Sequence, residues 1–324
     1  MTASPPLLVG PHRLRADLHV HSWHSGFTSS MSIFRSRDCY STPVEVYRAA
    51  KARGMDVVTI TDHDRLDGCL EFLSHHPDAP DFLMGEEVEC RLPPHGVRLH
   101  LGVFGLTEQM HADVQALRGD VREAAAFLRA GGAALVLHHP FHFFRGEIPA
   151  QTYLDALLPL VDAVEVRNGT MLPAHNDISS SVAAAWRRRE PGRPMGETGG
   201  SDAHVLGHVG DTWTAAEVQP PVGDAGQALS PGQALLGALR AGRSTAAGLQ
   251  GTPGRFAFEI YGVVFNYWGG LIGLRRSGLT PSQRLTGAAM SILSLPFQLT
   301  PLIVSLVQKQ GERRRVARFA RELR

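Results

Sequence analysis

Short apolar runs alternate with longer amphipathic stretches from about residue 12 to residue 250. Four of the apolar runs are rich in aliphatic or β-branched residues and predict buried strands, at 14–18, 57–60, 134–137 and 163–166. Helical spacing between and after these runs predicts helices at 111–130, 152–160 and 179–189. Strands and helices that alternate in this way are typical of an α/β fold wound around a parallel sheet or barrel.

One further helix has clear boundary signals. Thr42 is a suitable N-cap, Pro43 suits the first helical position, and Glu45 is placed to bond back to the cap. Gly54 can end the helix in a left-handed conformation. The pattern therefore predicts a helix from Pro43 to about Gly54, directly before the strand at 57–60.

Polar residues gather directly after the predicted strands. His19 and His21 follow the first strand, 62–64 is Asp-His-Asp after the second, and His138 and His139 follow the strand at 134–137. The carboxyl ends of parallel strands converge on one face, and sites are built from the loops beyond them. We therefore expect one site, supplied by several strands.

Net charge, cysteine content and the first ten residues limit which classes of partner and which cellular compartment are expected. The chain has 324 residues and a formal net charge of +1, so it lacks the basic field of a nucleic-acid binder, and no stable nucleic-acid binding is predicted. Cys39, Cys69 and Cys90 form no CxxC pair and suit a reducing compartment. Residues 1–10 lack the features of a secretory signal. These observations predict a cytoplasmic protein.

The polar clusters contain the ligand types of a metal site. His19 and His21 stand two apart at a strand end, so both rings can point toward one ion at the zinc–nitrogen distance of about 2.0–2.1 Å. An H-x-H pair alone is a weak signal. Segments 61–64, 85–87 and 200–204, together with His100 and His139, add further histidines and carboxylates at predicted strand ends or edges. This combination favours metal binding.

Six segments, in this order, resemble the PHP family, the polymerase and histidinol phosphatase superfamily: DLHVHS, TITDHD, GEEVE, the strand around His100, HHP and GSDAH. The resemblance covers roughly residues 12–250 and implies a distorted seven-stranded β/α barrel of TIM-like type. Residues 251–324 would then form a C-terminal helical appendage. The resemblance also implies two or three divalent ions and the hydrolysis of phosphate monoesters or diesters.

The resemblance implies eight metal ligands in this chain. They are His19, His21 and Asp202 for the first metal, Glu87 bridging the first and second, His100 and His139 for the second, and His63 and His204 for a third. Glu87 is preferred over Glu86 because the family's glutamate stands two after a glycine, here Gly85. His139 is preferred over His138 because it directly precedes a proline.

The third metal site departs from the family pattern. Many members carry an aspartate or histidine shortly after the first motif, where this chain has Gly26, which has no ligating side chain. Either His24 substitutes, or the polar segment near Asp38 folds in, or only two ions are held tightly.

The mixed ligand set predicts hydrolytic chemistry. Imidazoles with carboxylates suit Zn, Mn or Fe better than Mg or Ca. Two ions bridged by a carboxylate can acidify a shared water, and we expect the resulting hydroxide to attack a small phosphorylated substrate. No glycine fingerprint predicts a nucleotide cofactor. Asp17 and Asp62 are expected to orient ligands rather than bind metal. Hydrolysis of another bond and a metal-holding scaffold remain the alternatives.

Four residues outside the ligand set are candidates for catalysis. Arg167 follows a strand on the expected active face and Arg145 lies in the loop after 134–137, so either guanidinium could contact a phosphate. His208 or His142 could supply a proton to the leaving group. A surface salt bridge and a structural histidine are the respective alternatives.

The character of the chain changes after about residue 250. Residues 285–308 contain no charged residue, yet Pro296 and several polar residues favour core-packed helices broken at that proline over membrane contact. Val316, Phe319, Ala320 and Leu323 then form an apolar stripe among arginines. Such a helix could lie on anionic lipid, on its own barrel or on a second copy of the chain. The oligomeric state is not predicted.

Overall fold

The computed structural model describes residues 12–26, 36–218, 229–293 and 300–323. The strands are β1 His12–Ala16, β2 Val58–Ile60, β3 Phe82–Leu92, β4 Val97–Phe104, β5 Ala134–His138, β6 Ala163–Asn168, β7 Gly196–Gly200, β8 Thr212–Val218 and β9 Ser244–Gly248. The helices are α1 Pro43–Ala52, α2 Asp67–His75, α3 Glu108–Leu117, α4 Val121–Ala130, α5 Ala150–Leu157, α6 Pro173–Arg189, α7 Pro231–Arg240, α8 Pro253–Leu271, α9 Pro281–Leu293 and α10 Thr300–Glu322.

A six-stranded sheet in the order β2-β3-β4-β5-β6-β7 forms the centre of the fold. β2 is parallel to β3, and β5, β6 and β7 are parallel to one another, but β4 is antiparallel to both of its neighbours. The predicted α/β fold is therefore confirmed, and the sheet is mostly parallel except for β4. Residues 93–96 between β3 and β4 are too few for a crossover, so the two strands pair as a hairpin. β1, β8 and β9 form a separate antiparallel sheet.

The segment after β1 lies between the two edges of the six-stranded sheet. The backbone N–H of Thr61, just beyond β2, donates to the carbonyl of Val20, and the N–H of His21 donates to Ala203, just beyond β7. These bonds curl the sheet and bring the first histidine pair beside the ends of both edge strands. A seven-stranded TIM-like barrel remains a prediction, since the segment itself is not a strand.

The predicted helix boundaries are correct at α1, whereas the other three predicted helices end where expected, at 130, 160 and 189, but differ in their starts or continuity. Thr42 and Glu45 form a reciprocal capping box, and Gly54 has a φ of 75°. The helix predicted at 111–130 is two helices, α3 and α4, because Asp120 caps a new start. The helix predicted at 152–160 begins at Ala150 and tightens to a 3₁₀ turn after Leu157, and 179–189 is only the second half of α6.

One face of α10 packs on the rest of the protein, but the expectation of core-packed helices over 285–308 is wrong, because most of the large apolar side chains described there are exposed. Phe319 on α10 is fully buried, and its ring lies 4.1 Å from that of Phe141 and 5.0 Å from that of Phe144. Val316 is buried as well. Of the three alternatives for the apolar stripe, packing of α10 against the rest of the same chain therefore accounts for Val316 and Phe319. The predicted break at Pro296 lies outside the described residues, and the boundary at residue 250 remains a prediction.

Among the described residues, no helix is both long and apolar enough to cross a membrane.

Candidate metal centre

The Glu87 carboxylate, on β3, lies at the centre of the histidine cluster. Its Oε1 is 3.2 Å from His19 Nε2, 2.9 Å from His100 Nδ1 and 3.1 Å from His139 Nε2. Its Oε2 is 2.8 Å from His63 Nδ1 and 3.7 Å from His21 Nε2. The two oxygens thus face different sets of imidazoles, the arrangement that a carboxylate bridging two ions requires.

Asp202, just beyond β7, closes the cluster on the side of the first histidine pair. Its Oδ1 lies 3.5 Å from His19 Nε2 and 3.4 Å from His21 Nε2. The other oxygen, Oδ2, accepts hydrogen bonds from Thr170 Oγ1 at 2.8 Å and Asn168 Nδ2 at 3.2 Å. One oxygen is therefore held by the loop after β6 while the other faces the imidazoles.

Several polar atoms in the cluster are buried without a hydrogen bond. Among the described residues, His19 Nε2, His21 Nε2 and Glu87 Oε2 make no hydrogen bond, and their side chains have no exposed surface. Their short contacts within the cluster lack hydrogen-bond geometry. An unsatisfied buried polar atom costs about 1–3 kcal/mol. A divalent cation would satisfy all three atoms, so the donor set fits the group that the sequence predicts.

Potential ligand atoms gather in overlapping groups within 4.8 Å of one another. The groups are His19–His21–Asp202, His19–Glu87–His139, His63–Glu87–His100, His21–His63–His204 and His19–His138–Glu165. The structure thus brings together all eight predicted ligands. Their roles as ligands, and the number and identity of the ions, remain predictions.

The region of the third predicted metal contains Asp38. Its Oδ2 lies 3.4 Å from His63 Nε2 and 3.1 Å from His204 Nε2. His24 is directed elsewhere, with Nε2 2.6 Å from Glu71. Of the three alternatives raised by Gly26, the segment near Asp38 is the one whose geometry places a carboxylate at both histidines.

Glu165, on β6, supports two of the histidines. Its Oε1 lies 2.9 Å from His19 Nδ1, and its Oε2 accepts hydrogen bonds from the His139 backbone N–H at 2.8 Å and from Asn168 Nδ2 at 2.9 Å. Carboxylates that bond the far nitrogen of a ligating histidine fix its ring orientation. Sequence reasoning did not identify Glu165 or Asn168, and their position at a strand end was the only available signal.

The two aspartates that were expected to orient ligands act differently from each other. Asp62 accepts from Ser25 Oγ at 2.8 Å, and that oxygen lies 2.9 Å from His21 Nδ1, so Asp62 orients the ring through Ser25. Asp17 accepts from the backbone N–H groups of Ser201 and Gly210. It therefore holds the backbone of the cluster rather than a ring.

The charges of the cluster favour the ligating form at Glu87 and at His21 but not at every predicted ligand. Burial raises the pKa of Glu87, but His100 and His19 outweigh it and hold that pKa well below its usual range. Burial, together with the charges of His204 and His63, lowers the pKa of His21 to about 3. At His19, His63, His100 and His204, burial lowers the pKa, but the neighbouring carboxylates outweigh it and raise the pKa. An ionised carboxylate and a neutral imidazole are the forms that bind cations.

Glu86 and His138, the sequence neighbours of two predicted ligands, differ in how well they are placed to bind a metal. Glu86 points away from the cluster, with Oε2 2.8 Å from His111 Nδ1. His138 lies as close to Glu87 Oε1 as its neighbour does, at 3.1 Å, and its ring stacks on His19 at 3.9 Å. The preference for Glu87 therefore agrees with the geometry, whereas distance alone does not separate His138 from His139.

The two candidate proton donors have different surroundings. His208 Nδ1 pairs with Glu259 on α8. His142 is packed 5.2 Å from the ring of His139, and burial with the charges of His139 and Arg315 lowers its pKa well below the usual range. A neutral imidazole is a poor proton donor at neutral pH, which argues against His142 in that role.

The two candidate arginines donate to backbone carbonyls. Arg167 Nη1 donates to Gly248 at 3.1 Å, and Arg145 Nη1 donates to His142 at 2.8 Å. The catalytic roles of both arginines and of His208 and His142 remain predictions.

Comparison with known proteins gives a partial match to one family model and to one curated relative. A family model described as PHP-associated matches residues 192–244, a segment that contains Asp202 and His204. An uncharacterised protein of Methanocaldococcus jannaschii is 34% identical over 58 residues, which are 18% of this chain and 33% of that protein. The match thus spans about a third of the relative's length.

Two solved structures resemble this chain at low sequence identity. PsfC from Pseudomonas syringae is 21% identical with a TM-score of 0.51, over 78% of this chain and 97% of that chain. A two-domain protein from Bacteroides vulgatus, containing a predicted PHP-like metal-dependent phosphoesterase, is 18% identical with a TM-score of 0.47, over 76% and 68%. The first similarity shows that PsfC and this chain share a fold.

Proposed function

We propose that this protein is a metal-dependent phosphoesterase of the PHP superfamily that hydrolyses a phosphate monoester or diester. The observation that carries the proposal is the buried Glu87 carboxylate, whose two oxygens face separate sets of imidazoles. Bound there, two or three divalent ions of Zn, Mn or Fe would acidify a water and offset the charge of phosphoryl oxygens.

Some residues of the chain would hold the ions, and others would orient those ligands. Glu87 and Asp202, with the imidazoles around them, would hold the ions, and Glu165 would fix the His19 ring. Thr170 and Asn168 would keep Asp202 Oδ1 turned toward the histidines by holding its other oxygen. Because these supporting groups are buried, water would not compete for their hydrogen bonds.

The test combines metal analysis with turnover of a panel of phosphate monoesters and diesters. Two or three equivalents of metal, with turnover that a chelator abolishes and His19→Ala lowers by at least about 10²-fold, are expected. His76→Ala, an exposed histidine outside the cluster, is the control and should retain full turnover. Bound metal without turnover of any phosphate ester would favour hydrolysis of another bond or a scaffold role. Absence of metal after reconstitution would refute the proposal.

A further inference from the structure

The charge of the chain is divided unevenly along its length. Residues 251–324 contain eleven arginines and lysines and three glutamates, a formal charge of +8, whereas the whole chain carries +1. The first 250 residues are correspondingly acidic. The near-neutral total therefore conceals a strongly cationic C-terminal segment.

The same segment carries most of the exposed apolar surface. Among the described residues, fourteen large hydrophobic side chains are exposed, and twelve of them lie between Phe258 and Leu323. Ile272, Leu274 and Leu285 are each more than 70% exposed. A concentration of exposed apolar side chains of this kind marks an interaction surface.

Helix α10 shows how charge and apolar surface are arranged. Its buried stripe recurs at helical spacing and packs on the protein; it comprises Ser305, Lys309, Glu312, Val316 and Phe319. Its outward face begins with four exposed apolar residues, Leu302, Ile303, Leu306 and Val307. Arg313 and Arg314 continue that face about two turns later and, among the described residues, neither has an ion-pair partner.

We propose that the outward face of α10 docks on an anionic lipid bilayer, with its apolar first half inserted among the lipids and its arginines on the headgroups. A helix that lies on a membrane buries an apolar face and places basic side chains at the level of the phosphates. From Ile303 to Arg314 the face is about 16 Å long, so both halves can reach the interface of one membrane. Nucleic acid or an acidic protein would match the arginines but leave the apolar half exposed.

The test is sedimentation with vesicles of phosphatidylglycerol and phosphatidylcholine, compared with vesicles of phosphatidylcholine alone. The metal-loaded full-length protein is expected to bind the anionic vesicles, and high salt should weaken this binding. A variant carrying Ile303→Ser, Leu306→Ser and Val307→Ser should lose about tenfold or more in vesicle affinity. Arg313→Ser with Arg314→Ser should reduce the preference for anionic lipid.

The matched control replaces exposed apolar residues elsewhere, Leu229→Ser with Leu249→Ser, and should bind vesicles like the wild type. Circular dichroism and thermal melting establish that each variant is folded, and turnover of a soluble phosphate ester is expected to be unchanged. Equal binding by the triple variant or no binding by the wild type would overturn the proposal. So would a dimer in gel filtration that the triple variant dissociates, since a second copy would then cover the face. Because the readout is sedimentation, failure here is distinct from failure of the proposed activity.

Discussion

Two predicted ligands have unusual backbone conformations. His139 and Asp202 have positive φ values of 24° and 52°, a region that costs residues other than glycine about 1 kcal/mol or more. The surrounding structure maintains both: Glu165 accepts from the His139 N–H, and the Asp202 N–H donates to the His19 carbonyl at 2.6 Å. Strain at two residues of one cluster supports a functional role for the cluster.

Gly102 leaves room for a histidine of the centre. A Cβ at this position would lie 2.2 Å from His138 Nε2, and the buried His138 ring is stacked on His19. Gly102→Ala is therefore expected to displace both rings and to weaken metal affinity by about 10–100-fold, measured by competition with a chelating dye. Gly237→Ala is the control, because a Cβ there meets nothing within 4 Å. Unchanged metal affinity in Gly102→Ala would contradict the proposed packing.

At the residue scale, the sequence predicted the members of the cluster better than their supports. His19, Glu87 and Asp202 stand in sequence motifs, and the order of these motifs along the chain allowed the residues to be predicted as ligands. Glu165 and Asn168 belong to no such motif, and only the fold shows that β6 ends beside the first histidine pair.

A buried ion pair on helix α10 contacts the loop after β6, which in turn contacts the predicted metal centre. Lys309 Nζ donates to Glu312 Oε2 at 2.7 Å and to the Thr170 carbonyl, and Glu312 Oε1 accepts from the Leu172 N–H at 2.6 Å. Thr170 in turn holds Asp202. The C-terminal helix thus supports the loop that positions a predicted metal ligand.

Glu312→Ala would leave the Lys309 ammonium buried without its partner. We expect the free energy of unfolding, measured by urea titration, to fall by about 3–5 kcal/mol. The double variant Lys309→Met with Glu312→Leu removes both charges and should cost less than the single change. A single change that costs under about 1 kcal/mol would contradict the importance of the pair.

At the element scale, the start of a helix could be predicted where the sequence shows a clear N-cap, as at Thr42. The break between α3 and α4 was missed because its N-cap, Asp120, lies inside a stretch with continuous helical periodicity. The antiparallel hairpin of β3 and β4 was missed because buried strands look alike in either orientation. The buried Lys309 and Glu312 were not foreseen because charged residues are usually exposed.

For the whole molecule, metal binding and folding are expected to be coupled, because the cluster joins residues that are far apart in sequence. A ligand at about a hundred times its dissociation constant stabilises a protein by about 2.7 kcal/mol. Removal of the metals should therefore lower Tm by roughly 4 °C for each ion lost in a chain of 324 residues. Scanning calorimetry before and after chelation and reloading measures the shift, and equal Tm values would contradict the coupling.

The most direct test of the metal centre compares two neighbouring buried carboxylates. Glu87 faces the imidazoles, whereas Glu86 faces His111, so Glu87→Gln and Glu86→Gln make the same chemical change on opposite sides of β3. We expect Glu87→Gln to lose at least one equivalent of metal and about 10²-fold or more in phosphoesterase turnover, because the carboxylate shared by both ions is gone. Glu86→Gln should retain metal and turnover. Full metal content and turnover in Glu87→Gln, or equal losses in both variants, would contradict the account.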